Sequence, residues 1–221
     1  MTPARNGPTV PSPPKRIAQP TVRRLSLYLR LLEEIEEQGA ATISSDELAR
    51  LGGATSAQVR KDLSGFGSFG KRGLGYGVPE LIGSLREILG LGRTWRVVIV
   101  GAGKVGLALA LYAGFRERGF TVIAVYDNDP AKIGATEGGF LVRDISRLEH
   151  DAAREHPDIA VLAVPADHAQ ETVDRVIRAG ITGILNFAAA RLRVPRGVSV
   201  QAVNMAAEME VLSYALARAK G

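Results

Sequence analysis

The stretch WRVVIVGAGKVG, residues 95–106, constrains the fold of this chain more than any other. Val97, Val98, Ile99 and Val100 follow one another without polar alternation, the pattern of a strand buried on both faces of a parallel sheet. The run stops at Gly101-Ala102-Gly103, and Gly106 completes a G-x-G-x-x-G. Residues 105–112 then read as a helix of small and apolar residues. Each glycine has its own physical task. Gly101 permits the tight strand-to-helix turn, Gly103 lets backbone approach a pyrophosphate, and Gly106 lets the helix lie close on the strand. Phosphate oxygens would rest on the unpaired N–H groups that open the helix, at Lys104 and Val105.

Glycines also end strands where nothing binds, so the motif takes its weight from the next strand and the acid at its end. This second apolar strand, residues 120–126, ends at Asp127, which lies 21 residues beyond Gly106. An acid at that distance suits the ribose 2′-hydroxyl, and its charge repels a 2′-phosphate, which favours NAD(H) over NADP(H). Residues 159–164 form another all-apolar strand, closed by Pro165. At its carboxyl end Val164 and Pro165 flank the crevice of a doubly wound sheet. Residues 145–155 and 169–179 read as helices, 183–187 as a strand, and 205–219 as a final helix. The fold class is α/β, with a Rossmann-type parallel sheet in the C-terminal part.

At 221 residues the chain has room for two small domains. It has no cysteine, which removes disulfides and thiolate zinc sites, and we expect no metal. No apolar run is long enough to span a bilayer, and no signal-peptide core opens the chain, so a cytoplasmic protein without membrane contact is expected. The formal charge of +5 is modest but concentrated. Arg50, Arg60, Lys61, Lys71 and Arg72 stand against Asp62 alone between residues 50 and 76. Such a local excess suits a surface that meets phosphates.

The N-terminal part has its own plan. Residues 1–20 are rich in proline and poor in large apolar residues, which predicts a disordered arm. From Thr21 a helix is expected, with Leu25, Tyr28, Leu29, Leu32 and Ile35 on one face. Ser44 with Glu47, and Thr55 with Gln58, have capping-box spacing and open two further helices. Helix, short helix, glycine turn, helix is the pattern of a helix-turn-helix. The third helix carries Ser56, Gln58, Arg60 and Lys61 near its start, where such a helix meets base edges and phosphates. Either Arg60 or Lys61 is the base reader. Residues 69–78 mix glycine with aromatic and basic residues, as a β-hairpin wing does, and offer Lys71, Arg72 and Tyr76 to DNA. Pro79 closes the unit, and residues 81–91 read as a connecting helix. The expected boundaries are an arm at 1–20, a winged helix at 21–92, a Rossmann domain at 93–203 and a terminal helix at 204–221.

The runs TSAQVRKDLSGFGSFGKRGLGYGV and WRVVIVGAGKVG, with LSLYLRLLEEIEEQG upstream and GILNFA downstream, closely resemble the Rex family of redox-sensing transcriptional repressors. Gly65 departs from the aromatic residue usual there. The resemblance implies a homodimer that binds palindromic double-stranded operator DNA and lets go when NADH occupies the Rossmann site. It implies that Asn186 and Phe187 approach the nicotinamide, and that the terminal helix crosses to the other subunit. It also implies a switch linking cofactor to domain angle through an arginine, a tyrosine and an aspartate. The first two align with Arg30 and Tyr112, while the third position holds Asn204, which lacks the charge.

The rival reading is a small NAD-dependent oxidoreductase. Hydride chemistry needs a group for the alcohol proton and a place for substrate. His150 and His156 lie in a polar helical stretch, and His168 near a strand end has no partner acid or base in view. Beyond the Rossmann strands only the last helix is expected, too little for a substrate domain. The expectation is therefore a repressor without catalytic residues, whose ligand is NADH or NAD+.

Overall fold

The computed structural model describes residues 17–67, 70–71 and 75–219. The chain divides into two compact units, Met1–Gly92 and Arg93–Gly221.

In the first unit α1 (Gln19–Glu37) starts two residues earlier than expected, with Pro20 in the first turn, where a missing N–H costs nothing. Most of the predicted arm lies outside the described residues. A short strand, β1 (Thr42–Ile43), follows, then α2 (Ser45–Gly52) and α3 (Ser56–Ser64). Both predicted caps form: Ser44 Oγ accepts from the Glu47 N–H at 3.1 Å, and Thr55 Oγ1 from the Gln58 N–H at 3.2 Å. Gly53 ends α2 in the left-handed conformation, which a side chain would resist. The wing is β2 (Gly70–Lys71) paired antiparallel with β3 (Gly75–Gly77), and β3 also pairs with β1. Gly75 has φ +79°, and a Cβ there would run into the Ile43 carbonyl, so that strand contact requires glycine. Pro79 does not close the unit. It sits in the first turn of α4 (Val78–Ile88), which packs on α1 around a core that includes Leu25, Leu29, Leu32, Leu48, Val59 and Leu85.

The second unit is built on β4 (Trp95–Val100), followed by α5 (Lys104–Ala110) and α6 (Ala113–Glu117). Next come β5 (Phe120–Asp127), an edge strand β6 (Thr136–Glu137) and β7 (Phe140–Asp144). A 3₁₀ turn at Ile145–Arg147 leads into α7 (Leu148–Glu155), then β8 (Ile159–Leu162), α8 (Ala169–Arg178) and β9 (Gly183–Asn186). The strand β10 (Ser199–Ala202) precedes α9 (Met205–Ala219). The sheet order is β10-β9-β8-β4-β5-β7-β6, parallel except for β6, which is the doubly wound arrangement. Side chains of β4 alternate between two cores, Val98 and Val100 in one and Val97 and Ile99 in the other. That is why its sequence shows no polar alternation.

Two expectations need correction. The helix after the glycine turn is not continuous to Tyr112. It stops at Ala110, and Tyr112 adopts an extended conformation ahead of α6. The terminal helix is also not the only element beyond β9. The strand β10 was hidden because Pro195 and Gly197 precede it and its face is only half-buried.

Candidate functional site

The order of the strands reverses between β4 and β8, and there the second unit opens a cleft of about 730 Å³. Gly101, Gly103, Lys104, Val105, Asp127, Val164, Pro165 and Phe187, all anticipated, line it. The glycines act as their spacing suggests. Gly101 has φ +105°, and a Cβ on it would strike the Ala163 carbonyl of the neighbouring strand's end. A Cβ on Gly106 would strike the Gly101 carbonyl, so this glycine sets how closely α5 approaches the turn. A Cβ on Gly103 would meet no protein atom, and Gly103 faces the cleft. A side chain there would fill part of the cleft.

Asp127 does more than face the cleft. Its Oδ2 accepts from the Ala102 N–H at 2.7 Å and from Lys132 Nζ at 3.1 Å, and its Oδ1 from the Asp129 N–H at 2.9 Å. Burial works against its charge. The Asp129 and Ala102 amides and the Lys132 ammonium outweigh burial and hold the carboxyl below its ordinary range. The acid thus fastens the glycine turn to β5 before any ligand arrives. Ala102 is buried and contributes that N–H, while Gly106 shapes the turn from behind; neither lines the cleft.

Asn186 departs from expectation. It is 1% exposed, its Oδ1 accepts from the Ala188 N–H and its Nδ2 donates to the Ala190 carbonyl, both at 3.0 Å. It holds the turn after β9 and leaves Phe187 as the residue of that pair facing the cleft. Sequence reasoning missed Asp129 and Lys132, which follow β5, and Glu171, Thr172 and Arg175 of α8. Lys132 was signalled by its place five residues after Asp127. The α8 residues carried no signal, since a polar helix start looks solvated. His168, read as a surface residue, also lies in the cleft wall.

In the first unit α3 turns Val59, Asp62 and Leu63 inward and leaves Ala57, Arg60, Lys61 and Ser64 exposed, one stripe at helical spacing. Arg60 Nη1 reaches Ser45 Oγ at 2.8 Å, which steadies its stem against the start of α2. Ser56 is half-buried in the first turn of α3. Tyr76 is corrected: it is 8% exposed, packed in the core, and burial raises its hydroxyl pKa, so it anchors the wing from inside. Lys71 is in β2, and Arg72 lies outside the described residues.

The residue least expected to matter is Asp62, which had counted only as a stray negative charge. It is 5% exposed and accepts four hydrogen bonds. Arg24 Nε and Nη2 donate at 2.6 and 2.7 Å, Gln58 Nε2 at 2.8 Å and the Tyr28 hydroxyl at 3.3 Å. Burial opposes its charge, but Arg24 and Gln58 prevail and keep its pKa low. The pair fastens α3 to α1.

Arg30 is exposed on α1. Tyr112, 60% exposed, fills the break between α5 and α6 and meets the Phe115 ring edge-on at 5.3 Å. Asn204 caps α9, its Oδ1 accepting from the Ala207 N–H at 3.1 Å. Along α9, Met205, Met209, Val211, Leu212, Tyr214 and Leu216 are all exposed. Among the described residues no cluster of histidine and carboxylates has the composition of a metal site, and no helix is long and apolar enough to cross a membrane.

Residues 16–64 match the family model described as the N-terminus of a putative DNA-binding protein, and residues 92–190 match that of a CoA binding domain. The redox-sensing transcriptional repressor Rex of Carboxydothermus hydrogenoformans is 46% identical over 92% of this chain and 98% of its own. A solved complex of the Rex-family repressor RSP with β-NAD+ and operator DNA superposes with a TM-score of 0.88 at 38% identity, covering 93% of this chain and 95% of that one. The RSP complex with β-NADH gives 0.85 at 37% identity, covering 92% and 96%.

Proposed function

This chain belongs to the Rex family of redox-sensing transcriptional repressors, and we propose that it binds operator DNA as a homodimer and releases it when NADH enters the cleft of its second unit. One observation carries this reading: a single chain holds both an exposed basic helix face and a cleft lined by the glycine turn and Asp127, with no separate substrate domain among the described residues. In that reading Gly103, Lys104 and Val105 receive the pyrophosphate, Asp127 meets the adenosine ribose, and Val164, Pro165 and Phe187 flank the rest of the cofactor. Arg60 or Lys61 reads a base, and Lys71 and Arg72 hold the phosphate backbone. The exposed apolar side chains of α9 would be covered by a second copy, into which the helix swaps.

Release is then a coupling free energy, since NADH shifts the equilibrium only as far as it binds the DNA-free form better. Discrimination between redox states has a direct cause. The oxidised nicotinamide is a cation and the reduced one is neutral, so an apolar wall such as Val164 and Phe187 disfavours the former. A gel shift with a palindromic duplex tests the whole reading. The shifted band should disappear as NADH is titrated and persist with NAD+. A band indifferent to NADH would sink the proposal.

A further inference from the structure

The hydrogen bonds around Asp62 determine which way one side chain of the reading helix can present itself. All four acceptor positions of the carboxylate are filled: Oδ1 by Arg24 Nη2 and Gln58 Nε2, Oδ2 by Arg24 Nε and the Tyr28 hydroxyl. A carboxylate paired with arginine only accepts. The amide of Gln58 must therefore turn its NH₂ toward Asp62, four residues on along the same helical face, and its oxygen away. Oε1 receives no hydrogen bond from any described residue, and one N–H of the amide remains unused. Gln58 is the third residue of α3, in the turn that such helices bring to base edges.

Resting on the repressor reading, we infer that Gln58 reads adenine and that Asp62 and Arg24 are positioning residues that fix the polarity of its amide. An unrestrained glutamine can rotate its amide to suit several bases. Held as it is, Gln58 offers one acceptor and one donor. In the major groove adenine presents the complement, the N6 donor beside the N7 acceptor. Guanine presents two acceptors, thymine an acceptor and a methyl group, and cytosine a lone donor. Arg24 does not contact DNA in this arrangement. It keeps Asp62 ionised and aligned, and through it the amide.

The test is selection of bound sequences by the full-length, NADH-free protein from duplexes whose palindromic halves are randomised. The wild type should favour adenine at one position of each half-site, about tenfold over the other bases. Gln58→Leu, which leaves the Arg24–Asp62 pair untouched, should flatten that position and no other. Asp62→Asn should change the preference rather than merely weaken binding. With its oxygen kept on Arg24 Nε and the Tyr28 hydroxyl, its NH₂ takes the Oδ1 place, gives up the Arg24 Nη2 bond and faces Gln58, where it can pair only with Oε1. The Gln58 amide then turns its two donors outward, and the preferred base moves from adenine to guanine. Should Asp62→Asn fail to fold by circular dichroism, Gln58→Leu decides alone. If Gln58→Leu keeps every preference of the wild type, this inference is overturned while operator recognition stands. If the wild type enriches no sequence, the repressor reading falls as well.

Discussion

Each unit builds its site around a buried aspartate, but the two acids gather different partners. Asp62 collects side chains: a guanidinium, a phenol and an amide. Asp127 collects main chain, the N–H groups of Ala102 and Asp129, with one lysine added. The first arrangement orients side-chain chemistry, which a substitution can redirect. The second orients backbone, which a substitution can obstruct or release but not reprogram. A site that tells one base from another needs the former, because base edges differ in donors and acceptors. A site for pyrophosphate needs the latter, because phosphate asks only for N–H groups at the right spacing.

The sharpest way to break the comparison is Asp62→Ala. It strips the half-buried Arg24, Gln58 and the buried Tyr28 hydroxyl of their shared acceptor and should destabilise the first unit by about 2–4 kcal/mol, read from thermal or urea unfolding. Both acids have depressed pKa values, so each contributes stability that is complete above the ordinary carboxylate value of about 3.9 and is lost as pH falls through its lower folded value. Wild-type stability should therefore lose these contributions only as pH falls below that value, and Asp62→Ala should lack its part of the pH dependence. A stability unchanged by the substitution would mean that the pair is replaceable.

Asp127→Ala should act on the other unit, and less severely. It leaves the N–H groups of Ala102 and Asp129 without their acceptor, worth about 1–3 kcal/mol. NADH affinity should fall, and preference over NADPH should relax, with Lys132 released from Asp127 and held only by its longer 3.7 Å pairing with Asp129. Calorimetric titration with both cofactors checks this, and retained affinity with retained preference would remove Asp127 from the site.

Asn204 sharpens the comparison at its smallest, because it is a buttressing oxygen without charge. It caps α9 as an aspartate would, so Asn204→Asp should leave the helix intact while supplying the carboxylate that the family resemblance leads one to expect. We expect tighter operator binding without NADH and a higher NADH requirement for release, a change in coupling on the order of 1 kcal/mol. Operator binding followed across an NADH series in both variants would show it. Superimposable curves would exclude position 204 from the switch.

The cleft was legible in the sequence where chemistry and spacing coincide. A glycine turn between apolar strands, followed by an acid, leaves few structural alternatives. The direction of polar side chains stayed hidden. Asn186 and Asp127 both stand at strand ends, yet one turns inward to hold its own turn and the other stands at the cleft. Tyr76 looked like an exposed aromatic of a wing because glycine and basic residues surround it, but the pairing of β3 with β1 directs its ring into the core. Asp62 was invisible for the opposite reason. Within a basic stretch a single acid reads as noise, and its partner Arg24 is 38 residues away.

The strand β10 comes before α9 in the chain, and this ordering bears on biosynthesis. A ribosome delivers all seven strands of the second unit before the first turn of α9 emerges. Because β10 ends at Ala202 and α9 begins at Met205, the two leave the ribosome almost together, yet α9 is not needed to complete any hydrogen-bonded edge of the sheet.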